Sequence, residues 1–263
     1  MMKNASPAVS SKRIRKWDIF RVFLRSFFMQ SVWNYRSLIS VGFGVCLIPI
    51  VKRLYSDEQS RKEFLGRHLK FFNSHPYMAS YALGVSIRLE EAFAAGETDA
   101  CEKLERLKNL LISILGAVGD RLFWFTIKPF SLLAGVSALF LLSDSGFGGL
   151  ALAGAFLLYN IPHFYLRYNG ILEGYEYGAD IYKCFSNQRF RILRQAYIWT
   201  GAIAFVLFLI ILIVKLGSEN ILFLGAMTGA AVLSGVCYHV TRKFYFTVAL
   251  TLILFIIAGI IVA

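Results

Sequence analysis

The sequence predicts an all-α, polytopic membrane protein, with re-entrant and amphipathic helices in its N-terminal half and about five transmembrane helices in its C-terminal half. Three observations predict it. Of 263 residues, 57% are hydrophobic, against the ~45–50% apolar share of soluble domains. Beyond about Asp120 the apolar residues gather into runs long enough to cross a hydrocarbon core of about 30 Å. The 28 Lys and Arg, against 16 Asp and Glu, sit beside those runs instead of along one continuous face. That placement fits the flanks of spans and argues against a nucleic-acid surface.

The expected spans are Leu122–Leu142, Phe147–Phe164, Ala196–Val214, Ile221–Val240 and Phe244–Ala263. Loop charge orients them. Ser143–Gly146 carries no basic residue, whereas Tyr165–Gln195 carries Arg167, Lys183, Arg189, Arg191 and Arg194, and Arg242 with Lys243 marks the next turn. The positive-inside rule makes the two basic loops cytoplasmic and leaves the loops around Asp144 and Ser218 outside. The first 36 residues hold eight Lys or Arg and one acid, Asp18, with no apolar run leading to a small-residue cleavage site. A retained, cytoplasmic N-terminus is expected.

The N-terminal half follows other rules. Ser37–Val51 is apolar but only 15 residues long, with Gly42, Gly44 and Pro49 inside it, and reads as re-entrant or protein-buried. Ser56 with Gln59 forms a capping box for a helix reaching about Phe72, with Phe64, Leu65, His68, Leu69 and Phe72 on one stripe. Pro76 then opens a helix over Tyr77–Phe93, and an amphipathic helix over about Glu102–Leu115 meets the glycines of GAVGD, residues 116–120.

Four polar stretches stand out. Gln30 and Asn34 are spaced i, i+4 beside Trp33, a set that suits a sugar's hydroxyls and apolar face, or equally helix capping. In FNSHP, residues 72–76, Asn73, Ser74 and Pro76 are turn formers, and His75 has no second ligand at metal spacing. Asp120 lies at the mouth of an apolar run, with Arg121 or Lys128 as its expected counter-ion. Gly170, Gly174 and Gly178 repeat the GxxxG spacing of close helix packing, with Glu173, Glu176 and Asp180 beside them on the cytoplasmic side. Cys46, Cys101, Cys184 and Cys237 form no CxxC pair. No nucleophile elbow, phosphate loop or metal cluster is present, so residue chemistry alone leads to a polytopic membrane component of the transport class.

The segments FLRSFFMQSVWNY (23–35), RLYSDEQSRKEFLGRHLKFFNSHPYMASYALGVSIRLEE (53–91), LISILGAVGDRLFWFTIKP (111–129) and RYNGILEGYEYGADI (167–181) together carry a resemblance. The chain resembles the IID membrane component of the mannose/fructose/sorbose family of the bacterial phosphotransferase system. The resemblance implies a basic cytoplasmic tail over residues 1–19, an IID core with broken helices and the first spans over 20–185, and C-terminal transmembrane helices over 186–263. It implies a multi-pass protein of the bacterial inner membrane, working in a hetero-oligomer with a IIC subunit to move a hexose-type sugar. A cytoplasmic IIAB protein, or separate IIA and IIB proteins, phosphorylates the sugar, so the phosphohistidines are expected on those partners. His68, His75, His163 and His239 then need no catalytic role, and no catalytic residue, metal or cofactor is expected in this chain. Gln30, Asn34, Asn73 and Asp120 carry over as residues of the substrate path or the subunit contact. Two departures stand out: the family's GDP is GDR here, Arg121 replacing a proline, and its long polar stretch before the last spans is cut to short loops such as Lys215–Asn220. They keep a second reading open, a non-transporting sensor or scaffold subunit that binds phosphotransferase partners.

Overall fold

A computed structural model describes residues 13–142, 145–185, 188–219, 221–242 and 244–262. In chain order the helices are α1 (Lys16–Ser26), α2 (Ser40–Cys46), α3 (Ile48–Leu54), α4 (Glu58–His68), α5 (Ala79–Ala94), α6 (Ala100–Gly119), α7 (Lys128–Leu142), α8 (Gly148–Tyr177), α9 (Tyr182–Phe185), α10 (Arg189–Glu219), α11 (Ile221–Thr241) and α12 (Phe244–Val262). Among the described residues, three helical runs are long and apolar enough to cross a membrane: Ala100–Leu142, Gly148–Asp180 and Tyr182–Val214. The chain forms two compact units, one of residues up to Leu132 together with Ala153–Trp199, the other of Leu133–Leu152 together with Thr200–Ala263.

In the first unit, the apolar piece expected over Ser37–Val51 is two short helices, α2 and α3, hinged at Leu47 with Pro49 in the first turn of α3. Phe43, Cys46, Leu47 and Ile50 are fully buried, so the piece is enclosed by protein. Gly42 is required there: a Cβ would stand 1.8 Å from the Met29 carbonyl oxygen, where the chain crosses itself. The cap of α4 sits one residue beyond the expected box, with Asp57 Oδ1 accepting from the Ser60 N–H at 2.7 Å. α4 also stops at His68, short of Phe72. The chain bends at Leu69 and Lys70, and Phe72 then bridges to the segment after α1, the Ile39 N–H donating to the Phe72 carbonyl at 3.2 Å.

α5 is buried on nearly every side, as a helix at the centre of a unit must be. It meets α8 backbone to backbone. A Cβ on Gly84 would lie 2.2 Å from the Ile171 carbonyl, and one on Gly174 would lie 2.3 Å from that of Tyr81. Gly170 and Gly178 extend the same seam against Ser80 and Arg88. α8 contains Pro162, whose ring removes the bond to the Leu158 carbonyl. The Tyr197 hydroxyl donates to that freed oxygen.

GAVGD does not break the chain. α6 continues to Gly119, and Asp120–Ile127 widens into a π-helical stretch before α7. The Lys128 N–H reaches back five residues to the Phe123 carbonyl, and Thr126 Oγ1 donates to the Arg121 carbonyl at 2.8 Å. Such stretches occur where a helix carries more residues than its ideal turn holds.

In the second unit α11 and α12 are adjacent helices joined at Arg242, which adopts φ 54°. The loop expected over Lys215–Asn220 is helical as far as Glu219, and Asn220 lies outside the described residues. Ser143, Asp144 and Lys243, used above to orient the spans, also lie outside them.

Candidate functional site

The FNSHP turn is stitched to the segment after α1. Asn34 pairs with Leu38, and Leu38 with Phe72, as isolated β-bridges. Leu38 holds φ 55°, a left-handed conformation that costs a branched residue about 1–3 kcal/mol and persists only where its surroundings impose it. Asn34 imposes part of it. Its Oδ1 accepts from the N–H groups of Arg36 (3.0 Å) and Ser37 (2.9 Å), and its Nδ2 donates to Ser37 Oγ at 3.0 Å.

On the other side of the turn His75 is 2% exposed and stacks on Phe123, centroids 5.1 Å apart. Gly119 makes this fit possible, because a Cβ there would sit 2.3 Å from that of His75. His75 Nδ1 accepts from the Tyr77 N–H at 3.4 Å, which places the proton on Nε2. That Nε2 and Ser74 Oγ are buried without a hydrogen-bond partner among the described residues. Burial, with the Arg167 charge second, lowers the His75 pKa to about 4, so the ring is neutral near pH 7.

Tyr77 carries the turn into a cluster on α8. Its ring stacks on His163 at 3.7 Å and its hydroxyl shares a 2.8 Å hydrogen bond with that of Tyr159. Arg167, 3% exposed, donates through Nε to His163 Nε2 at 3.0 Å and through Nη1 to Ser26 Oγ at 3.1 Å. The guanidinium lies over both Phe27 (4.8 Å) and Tyr77 (5.1 Å), which compensates part of its lost hydration.

A second buried polar centre surrounds Glu90, 1% exposed on α5. Arg67 donates to both its oxygens (2.9 and 2.8 Å), His68 Nε2 to Oε1 (3.0 Å) and the Tyr55 hydroxyl to Oε2 (2.9 Å). Burial alone would raise the Glu90 pKa; the bonds from His68 and Arg67 outweigh it and hold the carboxyl at about 2. Burial lowers His68 to about 4 against the opposing pull of Glu90. Lys108 Nζ, 5.1 Å from the Phe43 ring centre, donates to the Arg67 carbonyl and extends the node to α6.

The residues singled out from sequence are thus partly gathered. Asn34 and Asn73 belong to one bridged loop, and Asp120 follows the glycine that abuts His75. Gln30 and Asn34 do not share a helix face, because α1 ends at Ser26 and residues 27–32 are turns. Gln30, Asn73 and Asp120 are exposed. Neither expected counter-ion pairs with Asp120 among the described residues; Lys128 lies 4.7 Å over the Trp124 ring instead. His163 and Arg167 are the residues the sequence reading undervalued. Their i, i+4 spacing in an apolar helix was the available signal. Among the described residues no group of three or more His, Cys, Asp or Glu could hold a metal.

These features define a helical membrane protein whose polar groups are arranged for holding and orienting. Comparison with known proteins makes the class specific. A family model described as the mannose/fructose/sorbose family IID component of the phosphotransferase system matches residues 13–263, and the chain belongs to that family. It is 35% identical over 183 residues to the mannose-specific EIID component of Escherichia coli K12, a match covering 69% of this chain and 63% of that relative's length. It is 31% identical over 210 residues to the sorbose-specific EIID component of Lacticaseibacillus casei, covering 80% of this chain and 71% of the relative. Among solved structures it is similar to a chain in the cryo-EM structure of the mannose transporter ManYZ with microcin E492, at TM-score 0.58 and 33% identity over 74% of this chain and 70% of that one.

Proposed function

We propose that this chain is the IID membrane subunit of a phosphoenolpyruvate-dependent sugar phosphotransferase system. It works with a IIC subunit to translocate a hexose-type sugar, and a IIAB protein phosphorylates that sugar on the cytoplasmic side. The observation that carries this reading is the family match over residues 13–263, reinforced by relatives named for mannose, fructose and sorbose. In this reading the chain is a multi-pass inner-membrane protein with a cytoplasmic N-terminus and performs no phosphoryl chemistry itself.

Within it, the FNSHP loop faces the sugar path or the IIC contact. The unpartnered Ser74 Oγ and His75 Nε2 support this, as does the exposed amide of Asn73 beside them. Gln30 lies on the same stitched segment and Asp120 behind it, while Asn34 holds the loop's shape.

The test is co-expression with the genomic IIC and IIAB partners in a host lacking hexose phosphotransferase systems. Phosphoenolpyruvate-dependent accumulation of labelled hexoses, amino sugars and sorbose is measured. The wild-type chain should accumulate one of them, and Asn73→Ala should reduce uptake by roughly tenfold or more while the IIC–IID complex still forms. Normal uptake by Asn73→Ala removes the loop from the path. No uptake by the wild type, despite a stable complex, favours the scaffold reading.

A further inference from the structure

The start of α10 faces the widened stretch Asp120–Ile127 across a cleft of which the transport reading uses only Asp120. Two adjoining hollows of about 350 and 510 Å³ share Ala117, Arg121 and Arg194 in their walls. Arg191 and Phe190 line the first; Asp120, Phe125 and Ile198 line the second. Three guanidinium groups therefore converge on one cleft with a single carboxylate in its walls. Five arginines of this unit are paired with carboxylates: Arg53 with Asp18, Arg67 with Glu90, Arg88 with Glu91, Arg106 with Glu102 and Arg189 with Glu173. Arg121, Arg191 and Arg194 form no such pair among the described residues, and Arg194 Nε is buried without a hydrogen-bond partner.

The cleft also has a definite depth. Arg191 and Arg194 immediately precede the point, near Ala196, where α10 turns apolar. Tyr197 and Trp199 follow within a turn, and Trp124 lies one turn from Arg121 on the facing helix. Trp199 is 70% exposed and Trp124 43%. Exposed Trp and Tyr at the end of an apolar helix mark the headgroup level of a bilayer. Below the arginines the wall is apolar, with Phe125 76% and Ile198 41% exposed.

We propose that this cleft binds the phosphate of an anionic phospholipid. The planar forks of Arg121, Arg191 and Arg194 match phosphate oxygens two at a time, and basic pockets between helices at this depth are suited to such headgroups. The lipid's chains lie along Phe125 and Ile198, which a soluble phosphate has no use for. Asp120 confines the anion to the arginine side. The site needs only that these helices lie in a membrane, and it stands independently of which sugar is carried.

The test uses the full chain in neutral detergent, titrated with phosphatidylglycerol or phosphatidylcholine and read by native mass spectrometry. Phosphatidylglycerol should bind roughly tenfold tighter than phosphatidylcholine. Arg121→Gln with Arg194→Gln should abolish that preference, Arg191→Gln alone should weaken it, and Arg106→Gln, on an exposed pair elsewhere, should leave it intact. Equal binding of the two lipids, or an unchanged preference in the double variant, overturns the proposal. Inorganic phosphate raising the melting temperature of lipid-free protein through the same arginines would reassign the site to a soluble anion. A double variant that keeps its lipid preference yet no longer co-purifies with a partner subunit would reassign the arginines to a protein interface.

Discussion

At Glu90 a carboxylate is taken out of water and given four donors from three side chains. The arrangement is stabilising only while it is complete, since removing one member strands a buried charge. Glu90→Gln should therefore cost about 3–5 kcal/mol, read as a lowered melting temperature in detergent. The pH dependence has a definite sign. Glu90 falls from 4.5 to about 2 on folding, so its contribution is present above about pH 4.5 and fades as pH drops toward 2. His68 falls from 6.5 to about 4, so below pH 6.5 protons favour the unfolded chain and stability declines until about pH 4. Melting temperature should thus fall between pH 7 and pH 4, and His68→Gln should flatten that slope. None of this was legible in the sequence. Glu90 and Glu91 lie near the end of the helix expected over Tyr77–Phe93 with no sign of burial, because the partners that bury Glu90 come from Tyr55, Arg67 and His68 on other segments. Glu91 likewise accepts from the Ile14 N–H, 77 positions away.

Among the elements, the α5–α8 seam was the most legible. The spacing of Gly170, Gly174 and Gly178 announces a close helix approach, and Gly84 supplies the opposing face. Gly84→Ala or Gly174→Ala should destabilise the protein by about 1–3 kcal/mol or more, because the nearest atoms are backbone and cannot swing aside. Gly116→Ala, with nothing within 4 Å, should instead add up to about 1 kcal/mol of stability. Thermal melting of the three variants side by side checks both signs. The same residue type misled elsewhere. GAVGD reads as a break, yet Gly119 serves the close approach of His75 and the helix runs on. The i, i+4 reading of Gln30 and Asn34 failed for the opposite reason: the spacing is helical, but Asn34 bonds its own loop and the chain turns.

For the whole molecule, the all-helical membrane class and the family were legible, because hydropathy and segment order are properties of long stretches that survive local misreadings. The N-terminal half was less so, since short helices such as α2 and α3 draw their stability from enclosure and leave little periodicity to read. With three long apolar runs in the described residues, the full chain should remain in the membrane pellet after an alkaline carbonate wash and leave it only with detergent. Release by carbonate would mean that these helices lie on the surface. The π-helical stretch Asp120–Ile127 carries a consequence of another sort. A helix of uniform pitch hands its angular phase from one end to the other, so its buried side can be followed as a stripe; a run of wider turns shifts that phase. Deleting one residue there would do more than shorten the run by about 1.5 Å: it would rotate the following residues of the same helix by about 100° and present a different side to the same neighbours. Between Asp120 and Ile127 the number of residues is therefore a constraint in its own right, separate from the parts played by Asp120, Arg121 and Phe123.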